Sequence, residues 1–241
     1  MNLGNEGTNV EKPATMGFRI FQRIKSPDQA MLAQFRSVAA AAISDCLHRI
    51  NGSSHSLRPY HKGGKLAGAA LTVKTRPGDN LMVHKALEMA VPGDVIVVDA
   101  GGDVTNAIAG EIMLRIAQKK QIAGFVIDGA IRDSHAFAAE AFPVYARGIT
   151  HRGPYKDGPG EINVPVSIGG MVVKPGDIVI GDEDGLVVVD LEEAESVLRL
   201  VQELQIRESD MLRSIEEGTI DRSWIDRTLL KQGCDPGSSS Q

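Results

Sequence analysis

The strongest constraint on the fold lies mid-chain, in "DVIVVDAGGDVTNAIAGEIMLRIAQKKQIAGFVIDGAIRD", Asp94 to Asp133. Two apolar runs, Val95–Val98 and Phe125–Ile127, are too continuous for strands with one wet face. They read as strands covered on both sides. The stretch between them, "NAIAGEIMLRIAQKKQ", has the length and apolar spacing of a helix. A strand–helix–strand crossover is right-handed, so the two strands are expected to be parallel and close. Their following loops then open on one edge of the sheet, where α/β folds place ligands. The second strand is expected to break at Asp128-Gly129.

The flanking segments extend this unit. "FQRIKSPDQAMLAQFRSVAAAAISDCLHRI" reads as helices, with Ser26-Pro27-Asp28 as a start signal. "GKLAGAALTVKT" is a strand pair or one bent strand, and "DNLMVHKALEMAV" an amphipathic helix. "DSHAFAAEA" is a short helix and "FPVYARG" a strand. Short apolar runs between Gly, Pro and Asp follow up to about residue 190 and predict a β-rich second half. A long helix is expected from about Leu191 and another helical piece from about Asp221. Pro-Gly-Asp recurs at 77–79, 92–94 and 175–177, and reads as a turn feeding the next element. The expected architecture is a single layered α/β domain over residues 17–232 with a central βαβαβ unit, a flexible leader at 1–16 and a loose tail at 233–241.

Charge and composition limit the function. Only 4% of residues are aromatic, so the core must be Val, Ile, Leu and Ala. A net charge of -5 without a basic stripe argues against nucleic acid as a partner. No apolar run approaches the ~18 residues of a membrane span, and the N-terminus lacks the apolar centre of a signal peptide. Two distant cysteines, Cys46 and Cys234, imply no disulfide framework, and a reducing cytoplasm is the expected location.

Several residues stand out chemically. The glycine-rich stretch from Ala100 to Gly110 ahead of a helix can bring backbone N–H groups to an anion, or can simply turn the chain. It is neither GxGxxG nor a P-loop, which disfavours a nucleotide. Arg132 and Asp133 sit beyond the second buried strand, on the same expected rim as Glu111. Arginine offers a planar fork for a carboxylate or carbonyl oxygen. Asp and Glu offer hard oxygen ligands to Mg²⁺ or Mn²⁺. The plainer alternative is an ion pair in a loop, or Asp133 as a helix cap. In the last long helix, Val197, Val201, Leu204, Met211 and Ile215 form a stripe whose spacing predicts an apolar residue at 208, where Glu208 stands. A carboxylate on a packing face is costly unless paired; an exposed helix end is the other reading. The six histidines show no metal-ligand spacing, and "GDEDG" at 181–185 is too short for a calcium loop and reads as a turn.

"GGDVTNAIAGEIMLRIAQKKQIAGFVIDGAIRD", with "SDCL" at 44–47 and "PGDIVIGDEDGLVVV" at 175–189, resembles the family of regulator-of-ribonuclease-activity A proteins and class II 4-hydroxy-4-methyl-2-oxoglutarate aldolases. The resemblance spans roughly residues 30–215. It implies a swivelling β/β/α-like fold and a lyase that cleaves pyruvyl compounds with a divalent cation, Mg²⁺ or Mn²⁺. Oxaloacetate decarboxylation is implied as a side activity. By the same resemblance Asp133 is the metal ligand and Arg132 contacts the keto or enolate oxygen. The Gly110-Glu111 step with the amides of Ile112 and Met113 takes the substrate carboxylate. Glu111, where characterised relatives often carry Asp, orders water beside the metal. Glu208 is the acid that reaches a neighbouring subunit's site in a homotrimer or a dimer of trimers. Purely regulatory relatives, which bind a ribonuclease or helicase, often lack an acid at position 111; its presence here favours the enzyme.

Overall fold

The computed structural model describes residues 15–237. Most of the expected leader, residues 1–14, and the end of the expected tail, 238–241, lie outside them. In chain order the elements are α1 (Gln29–Arg36), α2 (Ala40–Cys46), β1 (Arg58–Pro59), β2 (Leu66–Thr75), α3 (Leu81–Met89) and β3 (Asp94–Asp99). Then come β4 (Ala107–Ala109), α4 (Glu111–Lys119), β5 (Gly124–Ile131), α5 (Ser134–Ala138) and β6 (Val144–Ile149). The second half holds β7 (Gly160–Ile162), β8 (Val166–Ile168), β9 (Met171–Val173), β10 (Ile178–Asp182), β11 (Gly185–Val189), α6 (Ala194–Glu216) and α7 (Trp224–Lys231).

Nine strands form one mixed sheet in the order β1-β6-β5-β3-β2-β10-β11, with β4 beside β5 and β7 beside β2. The inner strands β2, β3, β5 and β6 are parallel, as the crossover rule requires. Strand alternation sorts the core into layers. Ile96 and Val98 of β3, with Phe125 and Ile127 of β5, face α3, α4 and α5. Val95, Val97 and Val126 face the opposite side, where the β8–β9 hairpin lies over them through Val166, Ile168, Met171 and Val173. The odd residues of β10 and β11 likewise split from the even ones, with Ile178, Ile180, Val187 and Val189 packing under α1, α2 and α6. The result is the layered α/β domain expected, a hairpin on one face of the sheet and helices on the other.

The three Pro-Gly-Asp sites are the same device. In each, the Asp N–H bonds the carbonyl three residues back, from Asp79 to Arg76, Asp94 to Val91 and Asp177 to Lys174. Gly78, Gly93 and Gly176 take φ of 74–90°, the left-handed position of a type II turn that a side chain would strain. "GDEDG" is, as expected, a turn between strands, the hairpin of β10 and β11, and Asp182 there accepts the Ala40 N–H at 2.8 Å, capping α2 from another element.

Four expectations need correction. The helix at 106–121 begins only at Glu111, because Ala107–Ala109 is strand β4. The strand expected to break at Asp128-Gly129 runs on to Ile131. Its pairing with β6 slips between Ile127 and Ala130 and resumes at Ala130 and Ile131, while on the other edge β4 follows β3 from Ala130, so both edges of the strand stay paired past the bulge. Residues 21–25, expected to be helical, are not; with residues 18–20 they form an extended strap, with Phe21 N–H on Ile162 O and the Arg19 guanidinium on Glu161. The stripe on α6 packs only where Val197 and Val201 are buried; Met211 and Ile215 are 58% and 51% exposed, and Glu208 lies exposed between them.

Candidate active site

The site forms where β4, the start of α4 and the end of β5 meet. Pairing of β4 with β5 brings Ala109 beside Ile131, and Arg132 N–H bonds Ala109 O at 2.9 Å. Arg132 and Asp133 are therefore fixed against Gly110 and the first turn of α4. Asp133 adopts φ 54° and ψ 40°, a left-handed conformation that Asp tolerates better than most residues. Although it heads α5, its side chain does not cap that helix. The carboxylate crosses instead to α4, where Oδ2 accepts the Glu111 N–H at 3.0 Å. One orphan donor of α4 is satisfied in this way, and the negative charge sits at the positive end of the helix.

The next two donors of α4, the N–H groups of Ile112 and Met113, meet no protein acceptor among the described residues, and the first helical bond runs from Leu114 N–H to Gly110 O. They open on a cavity of about 310 Å³ whose wall includes Gly110, Ile112, Met113 and Arg132. The nearest carboxylate oxygen to Arg132 is Asp133 Oδ2, 3.6 Å from Nε. The two form an ion pair that is too long for a hydrogen bond, so the N–H groups of the fork remain unbonded among the described residues. Two free N–H groups and a guanidinium with unbonded N–H donors on one cavity can receive a carboxylate.

Gly110 is required by this arrangement for steric reasons. A Cβ there would lie 2.6 Å from Asp133 Oδ2 and 3.1 Å from Arg132 Nε. The same crowding shows that Asp133 is held tightly against the helix start. Its Oδ1 receives no hydrogen bond among the described residues, leaving one hard oxygen free for a cation. No group of three or more His, Cys, Asp or Glu side chains among the described residues could enclose a metal. This donor set suits a cation that keeps most of its waters and takes one or two carboxylates, as Mg²⁺ does, and does not suit a closed zinc site.

The remaining expected residues are placed differently. Glu111 joins the site through its backbone, while its side chain pairs with Arg115 at 3.2 Å on the outer face of α4. Arg115 also pairs with Glu140, and these two carboxylates raise its pKa. Glu208 makes no contact with these groups in the same chain; its helix belongs to the layer over β10 and β11. The cavity wall also holds residues that sequence reasoning passed over: Asn80, His84, Gly153 and Lys156. Asn80 is buried and donates to Ile108 O at 2.9 Å. Burial, and after it the charge of Lys156, lowers the His84 pKa, against a smaller opposing effect of Glu88. The one local signal was the turn at 77–79, which sets the start of α3 and hence Asn80 and His84.

With this geometry in place, comparison with known proteins gives a consistent result. The sequence profile of the RraA-like family, described as Aldolase/RraA, matches residues 40–188, more than half of the chain. A Halalkalibacterium halodurans protein described as "Putative 4-hydroxy-4-methyl-2-oxoglutarate aldolase" is 40% identical over 199 residues, covering 82% of this chain and 95% of the relative. A Thermus thermophilus protein described as a 4-hydroxy-4-methyl-2-oxoglutarate aldolase is 35% identical over 52% of this chain and 76% of its own. Among solved structures, Streptomyces coelicolor RraAS2, described as an unusual member of the RNase ES inhibitor RraA protein family, superposes with a TM-score of 0.70 at 28% identity, covering 77% of this chain and 96% of that one.

Proposed function

This chain belongs to the RraA-like (Aldolase/RraA) family, and from that premise we propose that it is a lyase that cleaves a carbon–carbon bond in pyruvyl 2-oxo acids of the 4-hydroxy-4-methyl-2-oxoglutarate type and releases pyruvate. The observation that carries this reading is the pair of N–H groups of Ile112 and Met113, unpaired among the described residues, beside the Arg132 guanidinium, whose own N–H groups make no hydrogen bond there. The two amides and the α4 dipole receive the substrate carboxylate. Arg132 then donates to the adjacent keto oxygen, where negative charge grows as the bond breaks and an enolate forms. Asp133 would hold a divalent cation, Mg²⁺ or Mn²⁺, with Glu111 ordering water beside it once its side chain swings away from Arg115. When bound, that cation supplies Lewis-acid stabilisation of the same developing charge. Water ordered by Glu111, and by Glu208 of a neighbouring copy in a trimer or dimer of trimers, takes the proton of the departing 4-hydroxyl, and a proton returned to the enolate carbon gives pyruvate. Oxaloacetate decarboxylation passes through the same enolate and is the expected side activity.

A panel of 2-oxo acids tests the proposal, with pyruvate measured in metal-stripped buffer, with Mg²⁺ or Mn²⁺ restored, and with EDTA. Pyruvate release that needs the cation supports it. Full activity in EDTA would remove the cation, and no pyruvate from any 2-oxo acid would leave the site to a regulatory role.

A further inference from the structure

The cavity that holds Arg132 is lined by a second cation. Lys156 sits in the Gly153–Gly158 segment, and its Nζ meets no acceptor among the described residues. An unpaired lysine on a surface loop is ordinary, but this one is carried on a fixed backbone. On one side Tyr155 N–H bonds Gly78 O at 2.9 Å and Tyr155 O accepts Asn80 N–H at 3.0 Å. The Arg76 guanidinium lies 5.4 Å from the Tyr155 ring centre. On the other side the N–H groups of Asp157 and Gly158 bond Asp79 Oδ2 at 3.0 and 2.8 Å, and Asp79 is completely buried. Lys156 is thus presented to the cavity from both flanks, as a built site requires.

No Asp or Glu lines the cavity. The nearest carboxylate, Asp133 Oδ2, stands 3.6 Å from Arg132 Nε, while the Lys156 ammonium meets no carboxylate among the described residues, so a cavity of about 310 Å³ carries two cations against one flanking acid and favours an anion. His84 adds no negative charge, being a half-buried imidazole beside Lys156. A pyruvyl group on Arg132 and the α4 amides uses one cation and leaves the other for the rest of the molecule. We infer that Lys156 is a specificity-determining residue, receiving a second anionic group on the departing part of the 2-oxo acid, so that the site prefers dianionic to monoanionic substrates. The inference rests on the proposed binding of the pyruvyl end at Arg132, yet it can be read without turnover.

Calorimetric titration of the full chain in Mg²⁺ buffer with 2-oxoglutarate, a dianion, and with pyruvate, a monoanion, tests it. The wild type is expected to bind 2-oxoglutarate more tightly. Lys156→Met should weaken 2-oxoglutarate by about 10- to 100-fold, the loss of one hydrogen bond to a charged group, and leave pyruvate within about 2-fold. Lys156→Arg should restore most of the difference. Equal binding of both ligands by the wild type, or equal weakening of both in Lys156→Met, would overturn the inference. A preference for the dianion that Lys156→Met abolishes, in a protein that cleaves no 2-oxo acid, would sustain it while the proposed lyase reaction fell.

Discussion

Replacing Gly110 with alanine isolates the site from the fold. At φ -150° and ψ -170° the backbone is extended, and alanine adopts it without strain. The perturbation is therefore one methyl group aimed at three atoms. Its Cβ would stand 2.6 Å from Asp133 Oδ2, 3.0 Å from Arg132 Cγ and 3.1 Å from Arg132 Nε. The carboxylate must recede by at least about 0.4 Å to reach the shortest approach a Cβ makes. It takes with it the bond to the Glu111 N–H, and Arg132 must give as well. Overpacking of this kind costs about 1–3 kcal/mol, or some 2–12 °C of melting temperature for a chain this long. Misplacement approaching 1 Å in a catalytic group costs on the order of 10²-fold in rate. Thermal melting and pyruvate release from oxaloacetate, measured on the same Gly110→Ala preparation, should show a folded protein with kcat down about 10²-fold. Gly153→Ala, whose Cβ would meet only Arg132 Nη1 at 3.3 Å, should do much less. A folded Gly110→Ala protein with wild-type kcat would refute the idea that Asp133 and Arg132 act from these positions.

Other outcomes follow from the same structure. Arg132→Lys should keep the fold but lose about 10²–10³ in kcat, because lysine has the charge without the fork; wild-type turnover would make Arg132 a mere rim charge. Glu208→Ala should lower activity and Asp133→Ala abolish it, and subunit exchange between the two should regenerate activity if Glu208 serves a neighbour's site; unchanged kinetics in Glu208→Ala would return it to an exposed helix surface. The strap should loosen in acid. The Arg19 hydrogen bond, aided by the Gly17 N–H, lowers the Glu161 pKa against the effect of burial. Its contribution is then complete above the ordinary glutamate range and is lost as pH falls through the lower folded value. Protection factors at Gly17 and Phe21, each taken against the intrinsic exchange rate at its own pH, should be high at neutral pH, low in acid, and low at both in Glu161→Ala; protection indifferent to pH and to the substitution would contradict this.

What was legible in the sequence follows from which interactions are local. Val95–Val98 and Phe125–Ile127 announce buried parallel strands, because a run without polar breaks has no wet face to offer. The turns at Gly78, Gly93 and Gly176 are written in adjacent residues. The juxtaposition of Gly110 with Arg132 and Asp133 was reached through the crossover and the family resemblance. Strand β4 was hidden because three residues, Ala107–Ala109, carry too little pattern, and their strand character comes from β5. Lys156 was hidden because its place depends on Asp79, some 80 residues earlier in the chain. The exposed half of α6 shows a spacing argument overreaching: the stripe to Ile215 is real in the sequence, but among the described residues it is only partly covered at Leu204 and lies exposed at Met211 and Ile215.

The central claim is that the start of α4 and Arg132 together receive a pyruvyl group. A crystal structure of the protein with pyruvate and Mg²⁺ tests it most directly. The account predicts the pyruvate carboxylate about 2.7–3.2 Å from the Ile112 and Met113 nitrogens, the keto oxygen on the Arg132 fork, and the cation on Asp133. Pyruvate bound away from the α4 N-terminus, or a cation held without Asp133, would contradict it.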